Sequence, residues 1–339
     1  MSAAAIINSA RELTIAETAT TPLGSNEARV DVAYCGVCGS DLHMFFDASE
    51  PLAGHILGHE FSGVITEVGT DVADWSIGDR VVIRPIDECG ACAGCRAEDG
   101  VCISGLMCGP GLGRPGGLAQ SVALPCRMLR RIPDHLSLRD AALTEPLAVA
   151  VRGVERAQLA PDDAVIVAGA GPVGLLTLAV LRARGANRIL VVEPNAERRD
   201  VAARRGAHTV EPSGLAAAAT LHFPDGVAAA IDCSGHPDCA QQAVDVVGYG
   251  ARIVIVGIPT TPSQLTLLSV AIKEVSILGS TGYSERNFDD ALALLASGQV
   301  SADEFVTSVV SLDQIDSKLH ELISGESADI KVLVSHRVD

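Results

Sequence analysis

The chain has 339 residues, 48% of them hydrophobic but only 3% aromatic, with 33 glycines and a net charge of −17. That length exceeds what one hydrophobic core ordinarily supports, so two domains are expected, and an apolar mass of Ala, Val, Leu and Ile with many glycines favours an α/β protein over a disordered or fibrous one. The acidic balance argues against nucleic acid or an anionic membrane surface as the main partner, the N-terminus lacks the basic region of a signal peptide, and the longest apolar run, Pro172 to Leu181, has the length of a core helix, not of a membrane span.

Residues 1 to about 33 read as β structure with turns, ending in the alternating segment Ala28 to Val32. This strand delivers the chain to YCGVCGSDLH and, after a short connection, GHEFSG, the stretch Tyr34 to Gly63. Cys38 and His59 are residue types that bind a borderline metal such as zinc, and Glu60 could add an oxygen ligand or hold a ligand in place from behind. Taken singly, a cysteine is more often a small buried hydrophobe and a histidine a hydrogen-bonded core or surface residue. The surrounding Gly36, Gly39, Gly58 and Gly63 shift the balance, because they signal turns and close backbone approach. Two ligands do not make a site, so a further one must come from elsewhere in the chain. Gly63 to Gly69 and Asp79 to Ile83 follow as strands, completing a compact β domain.

The next stretch, DECGACAGCRAEDGVC, holds Cys89, Cys92, Cys95 and Cys102. Three cysteines at intervals of three and a fourth a few residues on can wrap one ion, and four thiolates close a tetrahedron with no open position, so this site is structural. Thiolate ligation needs reduced sulfur, which places the protein in the cytoplasm and sets aside a secreted disulfide framework for its ten cysteines. Cys108 and Cys126 read as ordinary thiols.

From Pro133 the pattern turns helical, with Asp134, Ser137 and Asp140 as cap candidates and an apolar helical face over Ala141 to Ala157. Glu145, beside Pro146 near the helix start, can be read simply as a favourable first-turn charge. Ala164 to Ala168 is a short, fully apolar strand of the kind buried on both faces of a parallel sheet. It leads into Gly169-Ala170-Gly171-Pro172-Val173-Gly174, an apolar helix to about Arg184, and a second strand, Arg188 to Val192, ending on Glu193. Strand, G-x-G-x-x-G, helix, strand and acid are the dinucleotide fingerprint. Gly169 makes the turn, Gly171 admits a pyrophosphate, and Gly174 lets the helix lie close to the sheet with its N-terminus on the phosphates. Glu193 would accept hydrogen bonds from the adenosine ribose and repel a 2′-phosphate, which points to NAD over NADP, although Arg198 and Arg199 stand close enough in sequence to serve a phosphate. Strands at Ala228 to Asp232, Arg252 to Val256 and Ser276 to Gly279 continue a six-strand doubly wound sheet, whose carboxyl-edge loops carry Ser234 and Gly257 toward the nicotinamide. A helix near Phe288 to Ser297 and a strand over Ile330 to Val334 close the chain by returning to the first domain.

In their order and spacing, CGVCGSDLH, GHEFSG, the cysteine lobe, TEPLAVA, GAGPVG with Glu193, and Ile330-Lys331-Val332-Leu333 resemble the zinc-dependent medium-chain dehydrogenase/reductase family over nearly the whole chain. The resemblance implies a GroES-like β-rich catalytic domain over 1–148 and 286–339, with a structural lobe at about 85–108, and a Rossmann domain over 149–285. It also supplies the missing ligand. In the branch similar to sorbitol, threonine, butanediol and glucose dehydrogenases a Glu in an E-P-L context completes the catalytic zinc site, so Glu145 joins Cys38 and His59, with Glu60 as an alternating or supporting ligand. Ser40 and His43 match the family's proton relay. Cys89, Cys92, Cys95 and Cys102 match its structural zinc ligands, except that the last interval is one residue short, which leaves Cys108 as the alternative fourth ligand.

The resulting expectation is a cytoplasmic oxidoreductase with catalytic and structural Zn2+ and NAD. It interconverts a secondary alcohol, such as a polyol, vicinal diol, sugar or cyclitol, and its ketone, and it works as a homodimer or homotetramer. Zinc would act as a Lewis acid on the substrate, Ser40 and His43 would carry the proton, and the nicotinamide would take the hydride. Phe45 and Phe46 could line a pocket for a less polar alcohol or belong to the core. An amino alcohol such as threonine or an aminocyclitol is the alternative substrate. A fold that binds nucleotide without turnover is the rival from another class, which would have no need of Ser40, His43, Cys38, His59 and Glu145 together.

Overall fold

The computed structural model describes residues 2–46, 53–325 and 327–336. Two compact units divide it, Met1–Glu145 with Ala291–Asp339, and Pro146–Asp290. The divisions fall inside helices, against expected boundaries at 148 and 285.

The first unit opens on an antiparallel hairpin, β1 (Ser2–Ser9) and β2 (Glu12–Thr18). Then follow β3 (Glu27–Gly36), α1 (Gly39–Phe46), β4 (Glu60–Val68), β5 (Arg80–Ile83), the short lobe helices α2 (Ala93–Arg96) and α3 (Ile103–Met107), β6 (Ser121–Pro125), β7 (Leu129–Arg131), α4 (Leu138–Ala141) and α5 (Thr144–Ala157). Ser137 caps the start of α4 by accepting the Asp140 N–H; α4 ends at Ala141 and α5 starts separately at Thr144, instead of one helix running on from Ala141.

The second unit alternates strand and helix: β8 (Val165–Ala168), α6 (Pro172–Ala183), β9 (Ile189–Val192), α7 (Ala196–Arg204), β10 (His208–Val210), α8 (Leu215–His222), β11 (Ala229–Asp232), α9 (Cys239–Val246), β12 (Arg252–Ile255), α10 (Leu267–Ile272), β13 (Ser276–Gly279) and α11 (Glu285–Ala296). Its six strands are all parallel in the order β10-β9-β8-β11-β12-β13, the doubly wound arrangement with its crossover beside β8. Every residue of β9 and β11 is buried, as a sheet covered on both faces requires.

The chain then returns to the first unit with β14 (Val306–Ser311), α12 (Ile315–Ser324) and β15 (Lys331–Ser335). There the sheet runs β14-β15-β3-β4-β5-β7, with β6 also on β3. Val30, Phe61, Ile65, Val81, Leu124, Val332 and Val334 form part of its core. Two bulges interrupt the β3–β4 ladder, the second between Val32 and Tyr34. Beyond it Cys35 faces Phe61 and Gly36 faces Glu60, so this bulge sets which side chains the end of β3 presents to the start of β4.

Just past β15, His336 Nε2 donates to the Gly117 carbonyl at 2.9 Å while its Nδ1 is buried without a partner among the described residues. Burial is the larger influence and depresses its pKa to about 4 from 6.5. A histidine depressed in the native state stabilises the fold fully above its unfolded pKa and loses that contribution as pH falls from 6.5 toward 4, here at most about 3 kcal/mol. Urea unfolding of the parent and of His336→Gln at pH 7 and pH 4.5 should show a smaller acid loss in the variant; equal losses would contradict the assignment.

Candidate active site

Cys38 lies at the N-terminus of α1, and its carbonyl accepts the Asp41 and Leu42 N–H groups that begin the helix. Asp41, three residues along, reaches back so that its Oδ2 accepts the Cys38 N–H at 2.9 Å, the carboxylate half of a capping box. Its Oδ1 accepts the Gly58 N–H at 3.2 Å and lies 3.7 Å from His59 Nδ1. One buried carboxylate therefore ties the Cys38 turn to the Gly58-His59 turn. Asp41 is a member of the site that the sequence reading passed over, and its position three residues after Cys38 was the available signal.

Ligand atoms of Cys38, His59 and Glu60 lie within 4.8 Å of one another. Glu60 is fully buried, and a Cβ on Gly36 would stand 2.1 Å from its Oε2 and 3.1 Å from Lys331 Cε, so a side chain there would push the Glu60 carboxylate from its place. Lys331, also buried, forms an ion pair with Glu60 Oε2 and donates to the Val37 carbonyl at 2.8 Å. Glu60 Oε1 and His59 Nδ1 are buried with no hydrogen-bond partner among the described residues. Glu145, in the first turn of α5 and 5% exposed, stands outside the three-residue group, yet its charge acts on both His59 and Lys331.

The electrostatics run in one direction. Burial alone would depress His59, but Asp41, then Cys38, then Glu145 raise its pKa well above the usual value. Burial likewise opposes the charge on Lys331, and Glu60, Cys38 and Glu145 raise it. A field that holds a proton on a buried imidazole is a field that holds a metal cation there, and one thiolate, one imidazole and carboxylate oxygens are a donor set that suits zinc. The residues present fit the ion.

Ser40 and His43 sit about one turn apart on α1, at i and i+3, on the same face. Ser40 is half-buried and His43 exposed. Phe45, by contrast, is fully buried in the unit's core, the core alternative of its two sequence readings. Phe46 is 36% exposed, with the Arg11 guanidinium 3.6 Å over its ring.

In the lobe, the ligand atoms of Cys89, Cys92, Cys95 and Cys102 form a second group within 4.8 Å of one another. Cys92 and Cys95 Sγ are 3.5 Å apart, Cys89 and Cys95 3.8 Å, and Cys92 and Cys102 3.8 Å. Cys102, not Cys108, is the fourth member; Cys108 is exposed at the C-terminal cap of α3. The short interval is taken up by α3 starting at once, so that the Gly105 N–H points at Cys102 Sγ at 3.2 Å. Hydrogen bonds from the Ala91 and Cys92 N–H groups lower the Cys89 thiol to about 6, preparing a thiolate.

In the second unit, Gly169 takes φ +94°, and a Cβ on Gly174 would lie 2.0 Å from its carbonyl oxygen, while Gly171 faces open space. Gly171 caps α6, Pro172 opens it, and Val173 follows in the first turn. Glu193 is buried at the end of β9; its oxygens accept the Ala170 N–H at 2.7 Å and the Asn195 N–H at 2.9 Å, so it also braces the glycine loop. Arg199 is spent on the carbonyls of Glu193 and Pro194, both at 2.7 Å, whereas Arg198 is exposed. The Ser234 hydroxyl donates to Asp232 at 2.7 Å, its Cα lies against the Cβ position of Gly169, and Gly257 packs on Gly235. Asp232, which anchors that loop, was likewise unmarked in the sequence.

The Lys331–Glu60 pair permits a direct test. Lys331→Met would leave a buried carboxylate without its counter-charge and lower the unfolding free energy by about 3–5 kcal/mol, and adding Glu60→Gln should recover most of it. A Lys331→Met protein as stable in urea as its parent would contradict the pairing.

Two family models match the chain, the alcohol dehydrogenase GroES-like domain over residues 24–134 and the zinc-binding dehydrogenase over residues 172–297. The chain is 34% identical over 315 residues to 2-dehydro-3-deoxy-L-galactonate 5-dehydrogenase of Pseudoalteromonas atlantica, covering 91% of this chain and 92% of that protein. It is 32% identical over 326 residues to D-xylulose reductase A of Aspergillus oryzae, covering 92% and 90%. Among solved structures, the 2R,3R-butanediol dehydrogenase of Bacillus subtilis superimposes with a TM-score of 0.90 at 31% identity over 99% of this chain and 100% of the other. An alcohol dehydrogenase from Escherichia coli complexed with NADH does so with a TM-score of 0.89 at 26% identity, over 98% and 99%. Among the described residues no helix is long and apolar enough to cross a membrane. With a GroES-like unit holding the metal-ligand groups and a Rossmann unit holding the glycine loop, the chain belongs to the zinc-dependent medium-chain dehydrogenase/reductase family and is a zinc- and NAD(P)-dependent alcohol or polyol dehydrogenase.

Proposed function

We propose that this chain oxidises a secondary hydroxyl of a polyol, vicinal diol or sugar-derived substrate to the ketone, or runs the reverse, with NAD as its cofactor. The observation that carries the reading is the convergence of Cys38, His59 and Glu60 within 4.8 Å, with Cys38 just before α1, the helix that carries Ser40 and His43. The substrate class follows relatives named for a deoxygalactonate, D-xylulose and 2R,3R-butanediol, and the burial of Phe45 removes one aromatic wall that an apolar alcohol would favour. NAD is preferred because Glu193, buried at the end of β9 beside the glycine loop, would accept the ribose hydroxyls and leave no room for a 2′-phosphate, and Arg199 is already engaged on backbone carbonyls.

In this reading Cys38, His59 and Glu145 hold the catalytic zinc, with Glu60, ion-paired with Lys331, as an alternating ligand, and Cys89, Cys92, Cys95 and Cys102 hold the structural one. When bound, zinc supplies Lewis-acid polarisation of the substrate hydroxyl, and the nicotinamide supplies the hydride acceptor. The chain supplies the proton path and the orientation. Ser40 would take the hydroxyl proton while releasing its own toward the ribose of the bound cofactor, and His43, exposed on the same helix, would pass that proton on to water. Asp41 fixes the Cys38 and His59 turns relative to each other. Gly169, Gly171 and Gly174 with the α6 N-terminus seat the pyrophosphate, Glu193 the adenosine ribose, and Ser234 and Gly257 border the nicotinamide end. The thiolate lobe needs reduced sulfur, which supports a cytoplasmic setting.

A homodimer is part of the same reading. β13 is the last strand of its sheet and is hydrogen-bonded on one side only, with Ile277 37% exposed, and α10 beside it in sequence exposes Leu267 (72%), Leu268 (69%) and Ile272 (68%). A two-fold axis through β13 would pair the open edge with its copy and cover these side chains. Light scattering after size exclusion should give a dimer or a larger even assembly for the parent and a monomer for Leu268→Asp/Ile272→Asp; an unchanged mass in the variant would rule this interface out.

The reaction is tested with a panel of polyols, diols, amino alcohols and simple alcohols with NAD and NADP, followed by NADH absorbance. Cys38→Ser should abolish turnover and remove one zinc while the protein stays folded, whereas Cys92→Ser should remove the other and lower stability. Full activity in Cys38→Ser, or no turnover of any alcohol by the zinc-loaded protein, would overturn it.

A further inference from the structure

The tip of the β1–β2 hairpin is a two-residue turn, Ala10-Arg11, closed by the Ser9–Glu12 pair. Arg11 sits there at φ 65°, one of three non-glycine residues with positive φ among those described, in a conformation that glycine would adopt without strain. All three parts of the arginine are engaged. Its N–H donates to the Phe45 carbonyl at 2.8 Å, its carbonyl accepts from His320 Nε2 at 3.0 Å, and its guanidinium lies 3.6 Å over the Phe46 ring. The Phe45 ring in turn meets His320 edge-on at 5.3 Å, and Asp316, one turn before His320 on α12, accepts the Leu13 N–H of β2 at 2.8 Å. The hairpin tip, α12 and the last turn of α1 thus form one lock.

That last turn is where α1 leaves carbonyls without helical partners, and where its dipole favours a cation; Arg11 supplies both the donor and the charge. α1 is only eight residues long, too short to be stable in water by itself, so its orientation depends on what holds its ends. Asp41 holds the N-terminal end and the Arg11 tip the other. We propose that Arg11 is a positioning residue: it fixes the C-terminal end of α1 and through it the placement of Ser40 and His43. The inference rests on the relay role given to those two residues above.

The test compares Arg11→Gly and Arg11→Lys with the parent full chain, using hydrogen exchange of the α1 amides over residues 39–46, thermal unfolding, and steady-state kinetics with the best alcohol of the panel. Arg11→Gly relieves the strained φ, so its unfolding temperature should equal or exceed the parent's. Its α1 amides should nonetheless exchange about tenfold faster. Its kcat should fall about three- to tenfold with the KM for the cofactor within about twofold. Arg11→Lys, which keeps a cation at the helix end, should recover much of the kcat. Unchanged α1 exchange in Arg11→Gly overturns the proposal, as does a kcat equal to the parent's when α1 has loosened. Exchange needs no turnover, so faster α1 exchange in a protein that oxidises no alcohol would retain the lock and remove only the relay reading.

Discussion

A thiol and several carboxylates gathered inside a protein demand positive charge, and the first unit is organised around meeting that demand. Cys38, Asp41, Glu60 and Glu145 all bear on His59 or Lys331, both of which hold their protons more tightly than usual despite burial. Lys331 neutralises Glu60 from the β15 side. His59 Nδ1 and Glu60 Oε1 lack partners among the described residues, and buried polar atoms in that condition are uncommon unless something further completes them. One thiolate, one imidazole and carboxylate oxygens so placed are a donor set that fits a divalent cation.

The scaffold's details follow from that demand. A bulge in β3 sets Gly36 opposite Glu60, and its missing side chain leaves the space that the carboxylate and the Lys331 stem occupy. Asp41 joins two turns that are distant in sequence through backbone N–H groups, so the geometry of Cys38 and His59 does not depend on flexible side-chain contacts alone. The cofactor unit uses the same economy: Glu193 is a buried acid that braces the glycine loop by its Ala170 contact as well as ending β9. In both units a carboxylate with a chemical role is also a clamp on the backbone.

Much of this was legible in the sequence, for identifiable reasons. β8, buried but for Ala168 at its end, and β9, buried throughout, are parallel strands that read as unbroken apolar runs, and the fingerprint glycines announced the turn that follows β8. The four lobe cysteines were legible because thiolate spacing is tightly constrained by the tetrahedron. Other elements left weaker traces. β10 spans three residues, too few to show any periodicity, and the edge strand β14 mixes exposed Val309 with polar neighbours, which blurs its alternation. Asp41 and Asp232 were passed over because their work is done through backbone N–H groups, which no side-chain motif records. Phe45 could not be assigned from sequence because an aromatic beside the relay residues serves a core or a pocket equally well. The choice of Cys102 over Cys108 turned on α3 beginning immediately after the ligand, a local geometry that spacing alone does not fix.

The claim on which the rest depends is that the buried anionic group of the first unit exists to hold a metal ion distinct from the one in the lobe. Zinc K-edge X-ray absorption on the purified protein measures this directly, because sulfur and nitrogen or oxygen neighbours scatter differently. The expected result is two zinc ions per chain whose averaged first shell mixes sulfur with nitrogen and oxygen, becoming all-sulfur when His59 is replaced. One zinc per chain with four sulfur neighbours in the unaltered protein would contradict the account.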